Sequence, residues 1–133
     1  FGLAASLISS SLTKMEEIGM WRDEIEERIS TRTSDAIFLG KTAERLPNVS
    51  TVYMPSVNSE TQVMNFDLDK ICISSGSACS SGKVKSSHVI KAMTNDENIA
   101  SSTIRMSMGW DTKKSDADAF IQSWIRQYDK KHV

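Results

Sequence analysis

The stretch Thr103-Ile104-Arg105-Met106-Ser107-Met108 alternates polar and apolar residues without a break. Successive side chains of a strand point to opposite faces, so this alternation predicts a strand with one apolar face and one polar face. The segment that follows has apolar residues at helical spacing, and Thr112 or Ser115 is expected to cap it as an amphipathic helix. Its buried face is expected to consist of Ala117, Phe120, Ile121, Trp124, Ile125 and Tyr128.

Shorter segments predict the rest of the sheet and its connections. Residues 36–39, 49–54 and 71–73 are apolar or β-branched and are expected to be strands. A helix is expected to start at a capping box formed by Ser59 and Gln62. Its buried side would consist of Val63, Met64, Phe66 and Leu68. Residues 88–93 predict another short helix. The fold class is therefore expected to be α+β, with a small, mainly antiparallel sheet covered by helices on one side.

Apolar residues also recur at steps of three to five positions from Leu3 to Ile29, which predicts a long N-terminal helix. Such a helix is longer than the core of this domain requires, and it suits a segment that runs beside a second domain. Two ordinary helices broken near Gly19 are the alternative.

The composition limits the class of protein. A chain of 133 residues predicts one domain, residues 1–133, and its net charge of −1 gives no electrostatic footprint for nucleic acid. No apolar run reaches the roughly 20 residues that a membrane span needs. Two cysteines are too few for a disulfide scaffold, no cluster suggests a metal, and no signal peptide is visible, so a cytoplasmic location is expected. The chain begins with Phe1 inside a predicted helix, and we expect it to be a fragment.

The segment most suggestive of chemistry is Ser74-Ser-Gly-Ser-Ala-Cys79-Ser-Ser-Gly-Lys-Val-Lys85. Cys79 has small, polar neighbours there, and Lys83 and Lys85 would favour its thiolate, the nucleophilic form. Cys72 lies between Ile71 and Ile73 and is expected to be buried and inert.

Two other interpretations of this segment remain open. The Ser/Gly stretch is also compatible with a linker or with a nest of backbone amides that binds an anion without any reaction at Cys79. His88, nine positions after Cys79, would suggest a thiol hydrolase if the two side chains met in space, although we expect His88 to face solvent.

Arg105 lies on the polar face of the alternating strand. Its planar guanidinium is suited to hold a carboxylate through two hydrogen bonds. An ion pair with one of the seventeen acidic residues of the chain is the alternative.

Several of these segments together resemble group I cysteine desulfurases of the NifS/IscS type. The loop from Ser74 to Gly82 is similar to the active-site cysteine loop of that family. Residues 87–93 are similar to its Ser-His-Val-Leu stretch, and residues 102–109 are similar to its Ser-Ile-Arg-x-Ser-Leu-Gly strand. Residues 1–5 look like the start of its helix leading into the small domain. The similarity covers nearly the whole chain.

The resemblance implies the C-terminal small domain of a fold-type I enzyme that uses pyridoxal phosphate. Such enzymes convert L-cysteine to L-alanine and retain the sulfur as a persulfide on the loop cysteine, which corresponds to Cys79. The substrate-carboxylate arginine corresponds to Arg105. The surrounding active-site loop corresponds to Ser75, Gly76, Ser77, Ala78, Ser80, Ser81 and Gly82.

The resemblance also implies which partners the protein has and which residue of the family is not expected in this chain. It implies a homodimer and sulfur acceptors such as an iron–sulfur scaffold protein, and it does not say which acceptor is served. The cofactor-binding lysine of the family belongs to a large domain that this chain lacks, so no cofactor-binding residue is expected here. The fragment alone is expected to be inactive. A free-standing sulfur-carrier or interaction domain that never meets the cofactor is the alternative.

Overall fold

The computed structural model describes residues 2–6, 8–75 and 86–132. Its helices and strands follow one another along the chain as follows: α1 (Gly2–Ser6), α2 (Ile8–Arg32), β1 (Ile37–Phe38), β2 (Val49–Tyr53), α3 (Ser59–Leu68), β3 (Ser74–Ser75), α4 (His88–Thr94), α5 (Glu97–Ser101), β4 (Thr103–Ser107) and α6 (Lys114–His132).

The four described strands form one antiparallel sheet in the order β1-β2-β4-β3. β4, the alternating segment, is an inner strand and pairs with β2 on one side and β3 on the other. Ile104 and Met106 are buried, whereas Arg105 and Ser107 are exposed, as the alternation predicts. Thr103 departs from this pattern. It is buried on the polar face, where its hydroxyl donates to the Ile99 carbonyl at 2.6 Å.

Three helices cover the apolar face of the sheet. Buried side chains of α2, α3 and α6 pack with those of β2 and β4 in one hydrophobic core. In α6, five of the six residues expected on the inner face are buried, and the sixth, Ile125, is partly buried. Phe66 of α3 stacks on Phe120 of α6, with ring centroids 5.0 Å apart. These contacts confirm the α+β class and the helical cover on one side.

The long N-terminal helix is confirmed from Ile8 to Arg32, and Gly19 does not break it. A β-carbon at Gly19 would lie 3.3 Å from Cβ of Pro47, so glycine allows the loop before β2 to approach closely. The helix contributes to the core from Ile18 onward. The apolar residues near its start, such as Ile8 and Leu12, are exposed and have no core to pack against.

A buried ion pair ties α2 to β2 and to the loop before it. The Glu26 carboxylate is 1 % exposed and accepts hydrogen bonds from both terminal nitrogens of Arg45, at 2.7 and 3.2 Å. The Ser50 hydroxyl donates to the same carboxylate at 2.7 Å. Burial by itself would raise the pKa of Glu26, but the hydrogen bonds from Arg45 and Ser50 outweigh it and hold the pKa below its usual value.

The start of α3 differs from the predicted capping box. Asn58 is the cap, and its side chain accepts from the Thr61 amide at 2.8 Å. The buried Gln62 side chain instead donates to the carbonyls of Val57 and Ser102. The predicted buried side of α3 is also wrong in part. Phe66 is buried, but Met64 and Leu68 point to solvent because α3 is covered by the rest of the domain on one narrow face.

The predicted caps of α6 were also wrong. The helix begins at Lys114, and the Asp116 carboxylate accepts from the Lys113 amide at 2.9 Å. The Thr112 hydroxyl faces the preceding turn, where it accepts from the Gly109 amide at 2.9 Å.

Candidate functional site

Arg105 is the centre of a polar row on the face of the sheet opposite the core. In the strand register its Cα partners are Thr51 of β2 and Ser74 of β3. Directly paired residues of antiparallel strands share a face, and their β-carbons lie about 4.5–5.5 Å apart. The three side chains therefore stand side by side across three adjacent strands.

The alternative of an internal ion pair for Arg105 is not supported. All seventeen acidic residues of the chain are among the described residues. None of them forms an ion pair or a hydrogen bond with Arg105, while nine other basic side chains of the described part do form ion pairs. The guanidinium is exposed and remains available to an anion from outside the described residues.

A shallow pocket of about 160 Å³ opens beside Arg105. Thr51 and Thr103 line it from the sheet, and Ser87, Val89 and Ile90 line it from the start of α4. The pocket thus combines one cationic group and hydroxyls with a small apolar wall. That combination suits a small molecule with a carboxylate at one end and little bulk at the other.

The described residues that flank the segment with Cys79 lie next to Arg105 or at this pocket. Before the segment, Ser74 of β3 pairs with Arg105, and after it Ser87 lines the pocket. Of the predicted loop residues, Ser75 is described and pairs with Ile104 in the sheet. Cys79 and the other predicted loop residues, Gly76, Ser77, Ala78, Ser80, Ser81 and Gly82, lie outside the described residues.

The far end of that segment is held by a charged group. The Ser86 hydroxyl donates to the Glu97 carboxylate of α5, which also accepts from Lys91 of α4 at 2.7 Å. Lys91, and after it Ser86, lower the pKa of Glu97 below its usual value. These contacts link the end of the cysteine segment to the two short helices.

The prediction for Cys72 was wrong, because the structure exposes this thiol. Ile71 and Ile73 both pack against the core, and alternation along the extended backbone turns the residue between them outward. The strand predicted at residues 71–73 is instead formed by Ser74 and Ser75. Cys72 lines a second, larger pocket of about 360 Å³ at the edge of the sheet, with Asp69 and Asp116 among its other lining residues. This pocket does not include Arg105.

The two histidines lie on different helices. His88 is the first residue of α4 and is exposed, as expected. Cys79 lies outside the described residues, so the thiol-hydrolase alternative stays untested. His132, near the end of α6, stacks on Tyr128 with ring centroids 4.1 Å apart.

Tyr53 lies two residues beyond Thr51 on the same face of β2. Burial raises the pKa of its phenol, and the nearby Asp96 and Asp35 carboxylates add to the rise. The hydroxyl therefore stays protonated and neutral at physiological pH.

The described residues around Arg105 do not fit the cofactor that the resemblance implies. Pyridoxal phosphate is held through a lysine Schiff base, and no lysine is among the side chains that line this pocket. Across residues 2–6, 8–75 and 86–132, no group of three or more His, Cys, Asp or Glu residues is placed to hold a metal ion. None of the described helices combines the length and the apolar character needed to cross a membrane.

Comparison with known proteins identifies related sequences and folds. A profile of the family described as Aminotransferase class-V matches residues 1–120. A cysteine desulfurase from Cereibacter sphaeroides is 37 % identical over 105 residues, which are 79 % of this chain and 27 % of that protein. Cysteine desulfurase IscS from Dictyoglomus turgidum is 32 % identical over 103 residues, 77 % of this chain and 26 % of that protein.

A solved structure shares the fold. The NifS-like protein from Rickettsia africae superposes with a TM-score of 0.81 at 28 % identity, over 97 % of this chain and 33 % of that chain. The chain therefore spans about a third or less of the length of the relatives it matches.

Sequence reasoning placed Arg105 on the polar side of its strand, where the structure has it, and did not name Thr51 or Ser87 as its neighbours. Thr51 alternates with the buried Ser50 and Val52, and this pattern marks it as a residue of the face opposite the core. Its pairing with Arg105 depends on strand register, which a single sequence does not specify.

Proposed function

The chain belongs to the aminotransferase class-V family, and from this we propose that it is the small domain of a cysteine desulfurase that uses pyridoxal phosphate. Relatives that carry this name match most of the chain at 30–37 % identity. In this proposal the cofactor is held outside the chain, in the part of the relatives that the chain does not span.

One observation carries the proposal. The Arg105 guanidinium forms no ion pair with any described residue and lies beside a small pocket. Of the described residues that flank the Cys79 segment, Ser74 pairs with Arg105 in the sheet and Ser87 lines the pocket. Cys79 is four residues from the end of β3, and an extended chain of that length spans at most about 14 Å. This length of chain allows the thiol to reach a molecule held by Arg105.

The two residues would have complementary roles. Arg105 would bind the carboxylate of L-cysteine through two parallel hydrogen bonds and fix the direction of the rest of the substrate. The Cys79 thiolate would attack the substrate sulfur, forming a sulfur–sulfur bond as the carbon–sulfur bond breaks. The electron pair of the broken bond would stay with the substrate carbon, which takes up a proton to give L-alanine.

The persulfide on Cys79 would then pass to an acceptor protein. In the proposal these acceptors serve iron–sulfur cluster or thio-cofactor biosynthesis in the cytoplasm, and the full-length enzyme acts as a homodimer.

Replacing Arg105 tests its role directly. In the full-length enzyme, Arg105→Lys keeps the positive charge but loses the planar fork of N–H donors that can bind a carboxylate through two hydrogen bonds. Hydrogen bonds to charged groups contribute about 1.5–3 kcal/mol. Catalytic efficiency toward L-cysteine is therefore expected to fall about 10- to 100-fold. The melting temperature should not change, because Arg105 is exposed and lies opposite the core. Unchanged kinetics, or a lower melting temperature that accounts for the lost activity, would assign Arg105 a structural role.

The isolated chain is expected to be inactive. Purified residues 1–133 should release no sulfide from L-cysteine and should show no visible absorption band of a protein–cofactor Schiff base when mixed with pyridoxal phosphate. Such a band, removed by borohydride reduction and mapped to a lysine of this chain, would contradict the placement of the cofactor outside it.

A further inference from the structure

We propose that Thr51 is a second carboxylate-binding residue, which donates a hydrogen bond to the anion that Arg105 holds. This inference rests on the proposed function, because it assigns a further residue to the same substrate site. Thr51 is the Cα partner of Arg105 in the sheet and lines the same pocket.

Three hydroxyls line this pocket, and only that of Thr51 forms no hydrogen bond with a described residue. The Thr103 hydroxyl donates to the Ile99 carbonyl at 2.6 Å, and the Ser87 oxygen accepts from the Ile90 amide as the cap of α4. Among the described residues, the Thr51 hydroxyl forms no hydrogen bond, although its backbone carbonyl accepts from the Leu39 amide at 2.9 Å. A polar group left free beside an unpaired guanidinium is positioned for a ligand that satisfies both.

The chemistry of a carboxylate fits this pair of donors. Its two oxygens have about four lone-pair positions, so the fork of Arg105 occupies two and leaves others for a hydroxyl. Arg105 and Thr51 stand on neighbouring strands and approach the anion from two directions, which fixes its rotation as well as its position. Val89 and Ile90 on the opposite side would contact the apolar part of a small amino acid.

The proposal can be tested on the chain itself with sodium propionate, a small carboxylate without a thiol or an amine. The ¹⁵N-labelled chain is titrated while its amide spectrum is recorded, and sodium chloride at the same ionic strength serves as the reference. The wild-type chain is expected to show saturable shifts at Thr51 and Arg105. The dissociation constant of Thr51→Val, which keeps the shape and removes the hydroxyl, should rise about three- to ten-fold, as loss of one hydrogen bond predicts.

Three further variants separate the explanations. Thr51→Ser keeps the hydroxyl and should bind propionate as the wild type does, and so should Ser107→Ala, which removes an exposed hydroxyl two residues along β4 from Arg105. Arg105→Lys should weaken binding more than Thr51→Val does. Wild-type affinity in Thr51→Val together with weak binding in Arg105→Lys would overturn the role of Thr51 and leave that of Arg105 intact. Wild-type affinity in both variants, or no saturable shift in the wild type, would overturn the carboxylate site in this chain.

Discussion

The Cys79→Ser variant of the full-length enzyme is expected to lose turnover of L-cysteine by on the order of a thousand-fold or more, since it removes the proposed nucleophile. A serine hydroxyl is a poor nucleophile toward sulfur at neutral pH and does not form a persulfide. Substrate binding should be retained because Arg105 and its pocket are unchanged. The measurement is sulfide release under reducing conditions, with substrate binding followed separately.

Cys72 offers the matched control for this experiment. Its thiol is exposed, so a general effect of removing an accessible thiol would appear in Cys72→Ser. It lines a different pocket from the one beside Arg105, and Cys72→Ser is therefore expected to keep wild-type turnover. An active Cys79→Ser enzyme, or an equal loss in both variants, would remove Cys79 from its proposed role.

Among single substitutions of charged residues in this chain, Glu26→Gln is expected to cause the largest loss of stability. Gln keeps the size of the side chain but leaves Arg45 without its counter-charge. Breaking a buried ion pair costs about 3–5 kcal/mol, and the lower end applies here because Arg45 retains some contact with solvent. For a domain of this size the melting temperature should fall by roughly 10 °C.

Glu27→Gln is the control for that loss. Glu27 is the next residue of α2, is exposed and forms no ion pair with any described residue. Its replacement should leave the melting temperature unchanged, as expected for a surface position. Equal melting temperatures for Glu26→Gln and the wild type would show that the pair contributes nothing net.

The Glu26 contribution should also depend on pH. Because its pKa in the folded chain is lowered from 4.5, the carboxylate stabilises the fold fully above that value. The stabilisation is lost as the pH falls through the lower, folded pKa. The difference in unfolding free energy between wild type and Glu26→Gln should therefore shrink in acid, as measured by denaturant unfolding from neutral pH to below 4.5. A difference that stays constant over this range would contradict the assignment.

The elements with strong periodicity were predictable from the sequence. β4 and α6 follow the alternating and helical patterns closely, because each buries one continuous face. The long α2 was predicted for the same reason. The exposure of Met64 and Leu68 in α3 was not predicted, because periodicity does not say how much of a helix is covered by neighbouring elements.

The sequence names residues for the candidate site but does not specify its geometry. Arg105 and Cys79 were proposed from residue type and local context, and their roles stay predictions. The exposure of Cys72 was missed, because its two apolar neighbours suggested that it is buried. In extended backbone, however, Ile71 and Ile73 point to the core and the residue between them points to solvent. Thr51 was missed because register between distant strands determines its place beside Arg105.

Peptide mass analysis of the full-length enzyme after brief exposure to L-cysteine tests the central claim most directly. Trapping with an alkylating reagent preserves any persulfide. Trypsin releases both cysteines in one peptide, residues 71–83, so fragment-ion sequencing of that peptide assigns the extra sulfur to Cys72 or to Cys79. The account predicts one additional sulfur atom on Cys79, formed together with L-alanine and lost when an acceptor or a reductant is added. A sulfur atom on Cys72 alone, or L-alanine formed without any sulfur on Cys79, would contradict it.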